Sequence, residues 1–177
     1  MFRQIKQPTI FLGLTFQSES AQLAAIKFKN ESMEILFEQS IPSMNEIPKN
    51  LVEPFKGKEI GISLPDAIAI HRTLNIDLDL SGEDLIETVQ LELSRILPYR
   101  LEDAYWDFHR YENSTQVLVV AAPKKQIMSY IEMFKSLELN LSLITFNSYA
   151  LKNVNERTIP HSLAVEIALE TQEHYDY

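Results

Sequence analysis

Hydrophobic and polar residues alternate through the first forty positions in three runs separated by short polar breaks. TIFLGLTF (9–16), AQLAAIKF (21–28) and MEILFEQSI (33–41) have the period of two of a half-buried strand, and QSES and KNES between them supply turn chemistry, so the pattern predicts a β-meander. Three prolines from Pro42 to Pro54 then break both periodicities and predict an irregular linker. EIGISL (59–64) is a short apolar strand, Pro65-Asp66 a turn, and AIAIHRTLNI a second strand. In it Ile68, Ile70, Leu74 and Ile76 share one face and Ala69, His71, Thr73 and Asn75 the other. Arg72 falls on the apolar face, either as a snorkelling edge residue or as the partner of a buried carboxylate.

From Ser81 the period becomes helical. Leu85, Ile86, Val89, Leu93, Ile96 and Leu97 form one stripe, and Ser81 and Asp84 have the spacing of a capping box. Pro98 stops this helix because the residue before a proline is pushed out of the α region. AYWDFHRY from Ala104 and QVLVVAA from Gln116 read as strands joined by a polar turn at 112–115. Pro123 then opens a helix striped by Ile127, Met128, Ile131, Phe134 and Leu137. LNLSLITF (139–146) alternates again, Asn147 caps a short helix through Leu151, and a last helix runs from Ser162 to about Glu170. Glu166, Glu170 and Glu173, spaced four and three apart, are expected on its solvated face. The order β-β-β, linker, β-β-α-β-β-α-β-α, linker, α is an α+β or mixed α/β pattern.

Composition narrows the function classes. The chain has 177 residues, enough for one domain or two small lobes, and a net charge of -9, which argues against nucleic acid or anionic lipid as the main partner. It has no cysteine, which removes disulfides, thiolate metal sites and cysteine catalysis. The N-terminal apolar run is too short for a signal sequence and nothing reaches the roughly 18 apolar residues of a membrane span, so a membrane role is expected only through a partner. His71, His109, His161 and His174 are scattered, no serine sits in a nucleophile elbow, and Asp77, Asp79 and Asp107 form no acid/base pair. No catalytic, cofactor-binding or metal residue is therefore expected. Only four glycines occur, none after Gly82, leaving over half the chain without a residue suited to cradling phosphate.

Residues 59–151 carry a family resemblance. Leu64-Pro65 closing a strand, a helix ending in Leu97-Pro98-Tyr99, Asp107 in the next strand, an apolar strand and helix, then Asn147 ahead of Ala150-Leu151 resemble, in that order, the PilM family. That family is the cytoplasmic actin-like component of type IV pilus assembly, and it has an acidic residue where this chain has Asn147. LGLTFQSES resembles the family's opening phosphate loop, but Thr15 stands in place of its aspartate, Gln17 in place of its glycine and Gln22 in place of the lysine that follows. The nucleotide site is accordingly expected to be degenerate. SLAVEIALETQEHYDY resembles the family's final Gly-Leu-Ala-Leu helix, with Glu166 in place of the glycine.

The resemblance implies an α+β, actin-like (FtsA/PilM-like) first lobe with the second lobe largely absent. Its expected parts are an N-terminal meander (1–55), an inserted β-β-α-β-β-α-β subdomain (56–146) and C-terminal helices returning to the first lobe (147–177). It implies a non-enzymatic cytoplasmic component of the inner-membrane assembly platform, peripheral to the membrane through its partner. That partner is the N-terminal cytoplasmic peptide of a PilN-like protein, held in a groove between first lobe and inserted subdomain. Arg72, Pro98, Tyr99, Arg100 and Asp107 are the expected contacts. Loss of a lobe would expose apolar surface that a homodimer would cover. Two alternatives stay open at this point: an actin-like ATP-binding protein, and a GspL-like cytoplasmic domain of a type II secretion system. An FtsA-like tether would need a basic amphipathic end, whereas ETQEHYDY is acidic.

Overall fold

The computed structural model describes residues 9–17, 20–29, 32–42, 47–156, 162 and 164–169. They belong to two compact units, residues 1–65 with 131–177 and residues 66–130. The predicted meander is present as β1 (Thr9–Phe16), β2 (Ala21–Lys29) and β3 (Ser32–Ile41). With β4 (Glu59–Leu64) and β8 (Asn140–Phe146) it makes a five-stranded sheet of order β3-β2-β1-β4-β8. The meander pairs antiparallel, while β1 with β4 and β4 with β8 run parallel. The expected linker is partly ordered, as a short helix α1 (Lys49–Val52) and a 3-10 turn at Glu53–Phe55 that carries Phe55 to within 5.4 Å of the Phe37 ring.

The first unit is organised around the middle of β1. Leu12, Leu14 and Phe16 are fully buried on one sheet face, beside Ile60 and Ile62 of β4 and Leu23 and Ala25 of β2. On the other face Gly13 stands between Ala24 of β2 and Gly61 of β4. A terminal helix α5 (164–169), capped by Ser162 Oγ accepting from Val165 N at 3.3 Å, lies on that face. Its backbone rests on Gly13: a Cβ there would come 2.0 Å from the Ala164 carbonyl oxygen and 2.4 Å from Ala168 N. Phe11, Ala24 and Ile26 bury Ala164, Val165 and Ala168 around this contact. The amino ends of β4 and β8 are laced by Gly57 N donating to the Glu138 carbonyl (2.7 Å) and Asn140 N to the Lys58 carbonyl (3.0 Å). Lys56 Nζ pairs with Glu138 at 2.9 Å, and hydrogen bonding and charge from Glu138 hold the ammonium above its ordinary pKa.

Two expectations are corrected in this unit. Glu166 is fully buried rather than solvated, because α5 is covered all round: every residue from Ala164 to Ala168 is buried. Glu170 and Glu173 lie outside the described residues. The boundary expected at 56–146 is drawn tighter, because β4 and β8 pair into the five-stranded sheet and the second unit comprises only Asp66 to Tyr130.

That second unit is a three-stranded antiparallel sheet of order β5-β7-β6, from β5 (Ile70–Asn75), β6 (Ala104–Arg110) and β7 (Gln116–Pro123). The helix α2 (Gly82–Ile96) buries Leu85, Val89 and Leu93, with Leu97, against Val117, Val119 and Ala121 of the central strand. Trp106 and Phe108 of β6 join this core with their rings 6.2 Å apart. Ile86 and Ile96 of the predicted stripe are exposed at its margins. Ser81 is the helix N-cap but makes no side-chain cap bond, since Gly82 enters the first turn at φ 57. Pro123 ends β7 instead of opening α3 (Lys124–Ser136), on which Met128 is exposed while Ile127 and Phe134 are buried. Arg110 secures the loop before α2, its Nη1 donating to the Leu80 carbonyl at 2.6 Å and Nη2 to that of Asp77 at 3.1 Å.

Two substitutions test these cores separately. Gly13→Ala is expected to destabilise the chain by about 1–3 kcal/mol or more, since the clashing atoms are backbone and α5 must shift. Leu93→Ala is expected to cost about 2–5 kcal/mol through a cavity in the second unit. Denaturant unfolding of each variant measures both; a Gly13→Ala midpoint equal to that of the parent would show that α5 does not bear on β1.

Candidate functional site

In open sheets with parallel strands, ligands bind beyond the carboxyl ends of those strands. Here β1, β4 and β8 end together, and parallel register sets Thr15 beside Ser63 and Ser63 beside Thr145. Asn147, the first residue of α4 (Asn147–Glu156), reaches back over them. Ser63 Oγ donates to Asn147 Oδ1 in a short hydrogen bond, and Asn147 Nδ2 donates to the Phe16 carbonyl at 2.8 Å. Thr15 and Ser63 are fully buried, and Thr15 Oγ1 has no hydrogen-bond partner among the described residues. The chain leaves β1 by a tight turn in which Gln17 N donates to the Ser20 carbonyl at 2.8 Å and Ser20 Oγ to Gln17 Oε1 at 3.2 Å.

These residues do not fit the nucleotide and metal ion that an actin-type lobe implies. The side chains at the strand ends are three hydroxyls and a carboxamide, all neutral, and hard cations select carboxylate oxygen. A hydroxyl left buried and unpaired at Thr15 is no substitute for an aspartate. Close backbone approach at Gly13 is already taken by α5. The remaining glycines are committed elsewhere: Gly61 pairs with Gly13, and Gly57 and Gly82 hold turns at φ 72 and 57. Among the described residues no three His, Asp or Glu side chains gather as a metal set.

The five residues expected to hold a peptide are all in the second unit, and they divide between its two faces. Pro98, Tyr99 and Arg100 follow α2. The Tyr99 ring packs into the core, its hydroxyl is buried with no partner among the described residues, and burial pushes its pKa up. Arg100 is exposed and already paired, with Asp103 at 2.9 Å and Glu102 at 2.5 Å, which hold it above its ordinary pKa, the Asp103 hydrogen bond most of all. Arg72 shares the parity of the core-facing residues but sits on an edge strand, exposed, with Nη1 on the His71 carbonyl at 3.0 Å. It is the edge residue of the two readings, not the partner of a buried carboxylate.

Asp107 has the opposite parity. It lies in one row with Val120 and His71, and the next row is His109, Leu118 and Thr73. This second face is a half-buried aliphatic strip of Leu118 and Val120 bordered by exposed Asp107, His109 and Thr73. At one end Tyr105 lies under Lys124, 5.5 Å from its ring centre, and its hydroxyl donates to Met128 Sδ at 3.5 Å. Asp107 Oδ1 accepts from Phe108 N at 2.7 Å, leaving the carboxylate at the surface. Sequence reasoning picked Asp107 but missed its row and missed Ser63, because both become visible only once strand register is known.

The family model of the type IV pilus assembly protein PilM matches residues 23–168. No curated protein matches the chain significantly. Among solved structures, the PilM-PilN type IV pilus biogenesis complex has a similar chain, 16% identical with a TM-score of 0.66, over 82% of this chain and 50% of that one. The cytoplasmic domain of EpsL, an inner-membrane component of the type II secretion system of Vibrio cholerae, is 12% identical with a TM-score of 0.61, over 77% of this chain and 57% of that one. The chain thus spans about half the length of these two structures, and shares with them the actin-like fold. With the family model covering most of its length, the chain belongs to the PilM family of type IV pilus assembly proteins.

Proposed function

We propose that the chain is a non-enzymatic component of the type IV pilus assembly platform that binds the cytoplasmic N-terminal peptide of a PilN-like inner-membrane protein. The observation that carries this reading is the second face of the three-stranded sheet. An extended peptide needs apolar contact for alternate side chains and a charge to fix its register. Leu118 and Val120 supply the first, Asp107 the second. A basic peptide is favoured by Asp107 and by the net charge of -9, which speeds its encounter at low salt. The match to a PilM-PilN complex supports a PilN-like source for that peptide. Among the described residues no helix is long and apolar enough to cross a membrane, which is consistent with attachment through such a partner. The likeness to EpsL supports the same kind of role in a secretion system; the family assignment favours the pilus.

Calorimetric titration with a synthetic N-terminal peptide of a PilN-like protein from the same organism tests the reading. Binding is expected with no nucleotide present. Asp107→Lys should weaken it about tenfold or more at low salt, as reversal of one interfacial charge does, with an unchanged melting temperature. Tyr99→Phe, which removes a buried unpaired hydroxyl, should leave both affinity and stability intact. A folded sample that binds no such peptide overturns the proposal, and full affinity in Asp107→Lys moves the peptide off this face.

A further inference from the structure

We infer that Asn147 is a built-in clamp that makes the carboxyl end of the parallel strands independent of any bound ligand. The β1–β4 ladder stops at Thr15 and Ser63, so the Phe16 carbonyl lies one residue beyond the last pair on that side. Asn147 Nδ2 supplies a donor to it, and Asn147 Oδ1 accepts from Ser63 Oγ. One side chain at the start of α4 therefore ties the ends of β1 and β4 to the helix that follows β8.

The chemistry is specific to a carboxamide. It offers one donor and one acceptor on a single planar group, which a carbonyl on one side and a hydroxyl on the other require. A carboxylate at 147 could still accept from Ser63 but would face the Phe16 carbonyl with a second acceptor, and that pair of oxygens calls for a cation or a proton between them. The difference between a nitrogen and an oxygen at one atom thus separates a strand end that is closed by itself from one that needs a ligand. Thr15 is consistent with the closed reading: its hydroxyl is buried beside the clamp and takes no part in it. Packing of α5 on Gly13 keeps the same sheet face filled a turn away.

The test uses the whole chain and no peptide, so its outcome is separate from that of the peptide-binding proposal. Thermal unfolding and amide hydrogen exchange are followed with and without millimolar ATP and magnesium. The parent should show the same melting temperature and exchange in both conditions. Asn147→Asp should lower the melting temperature by roughly 5 °C or more and speed exchange at Phe16, Gln17 and the first turn of α4. Combined with Ser63→Ala, its loss should depart from additivity, since the two replacements act on the two hydrogen bonds of one side chain. Thr15→Val should keep or raise stability. Should Asn147→Asp yield no folded protein, Ser63→Ala alone gives the same readout at smaller size. Stabilisation of the parent by ATP and magnesium overturns the inference. So does parental stability and exchange in Asn147→Asp, or a loss in Thr15→Val as large as that in Asn147→Asp.

Discussion

Parallel pairing of β4 with β8 is the constraint from which the rest of the architecture follows. Residues Glu59–Leu64 run beside Asn140–Phe146 in the same direction, so the intervening chain must travel the length of the sheet and return. A minimal crossover would be a single helix. Here the crossover holds Asp66 to Tyr130, which fold as a unit with their own sheet, helix and core. The sheet that needs the crossover and the unit that fills it are thus under different demands. The first must keep its register, because one slipped residue would turn Leu12 and Leu14 onto the face where α5 rests on Gly13 and leaves no room for a side chain. The second carries its own core, between α2 and one face of its three-stranded sheet.

The same parallel order puts three strand termini side by side, where backbone groups run out of ladder partners. A buried carbonyl without a donor is expensive, so something must serve the end of β1. In this chain a side chain from the following helix serves it, and the glycines that a ligand-binding loop would use are placed in the sheet and in turns. Each hydrogen bond of such a group contributes only about 1 kcal/mol net, but leaving one buried partner unpaired costs about 1–3. The clamp therefore matters more for what it prevents than for what it adds.

Local periodicity made most of the secondary structure legible. The meander, the two striped helices and the strand before Asn147 stand where alternation and helical spacing put them. The failures share a cause. Glu166 was read as wet because the inference from spacing assumes that a terminal helix has an open side, and α5 has none. The capping box failed at Ser81 because a glycine at positive φ follows it, a conformation that the motif does not take into account. The unit boundary was misplaced because apolar strands look alike whichever sheet they join, and only pairing assigns β4 and β8. Thr15, Gln17 and Asn147 were noticed as departures from a familiar pattern, whereas Ser63 gave no signal at all: its role depends on standing opposite Thr15.

The turn Pro98-Tyr99-Arg100 shows how a conspicuous motif can be inward-looking. Tyr99 spends its ring on the α2 core, and Arg100 finds Glu102 and Asp103 within its own segment. Exposed ion pairs of this kind are a weak source of stability, yet together they neutralise the arginine locally. A partner's acid would have to displace two carboxylates to use it. Asp107 is in the reverse position: one oxygen is held by the adjacent amide, and its neighbour in the row is the aliphatic Val120. A charge that the fold leaves uncompensated beside an aliphatic strip is the better marker of a recognition surface than a charge in an unusual turn. On that argument the proposed peptide would take the face of the second unit turned away from α2.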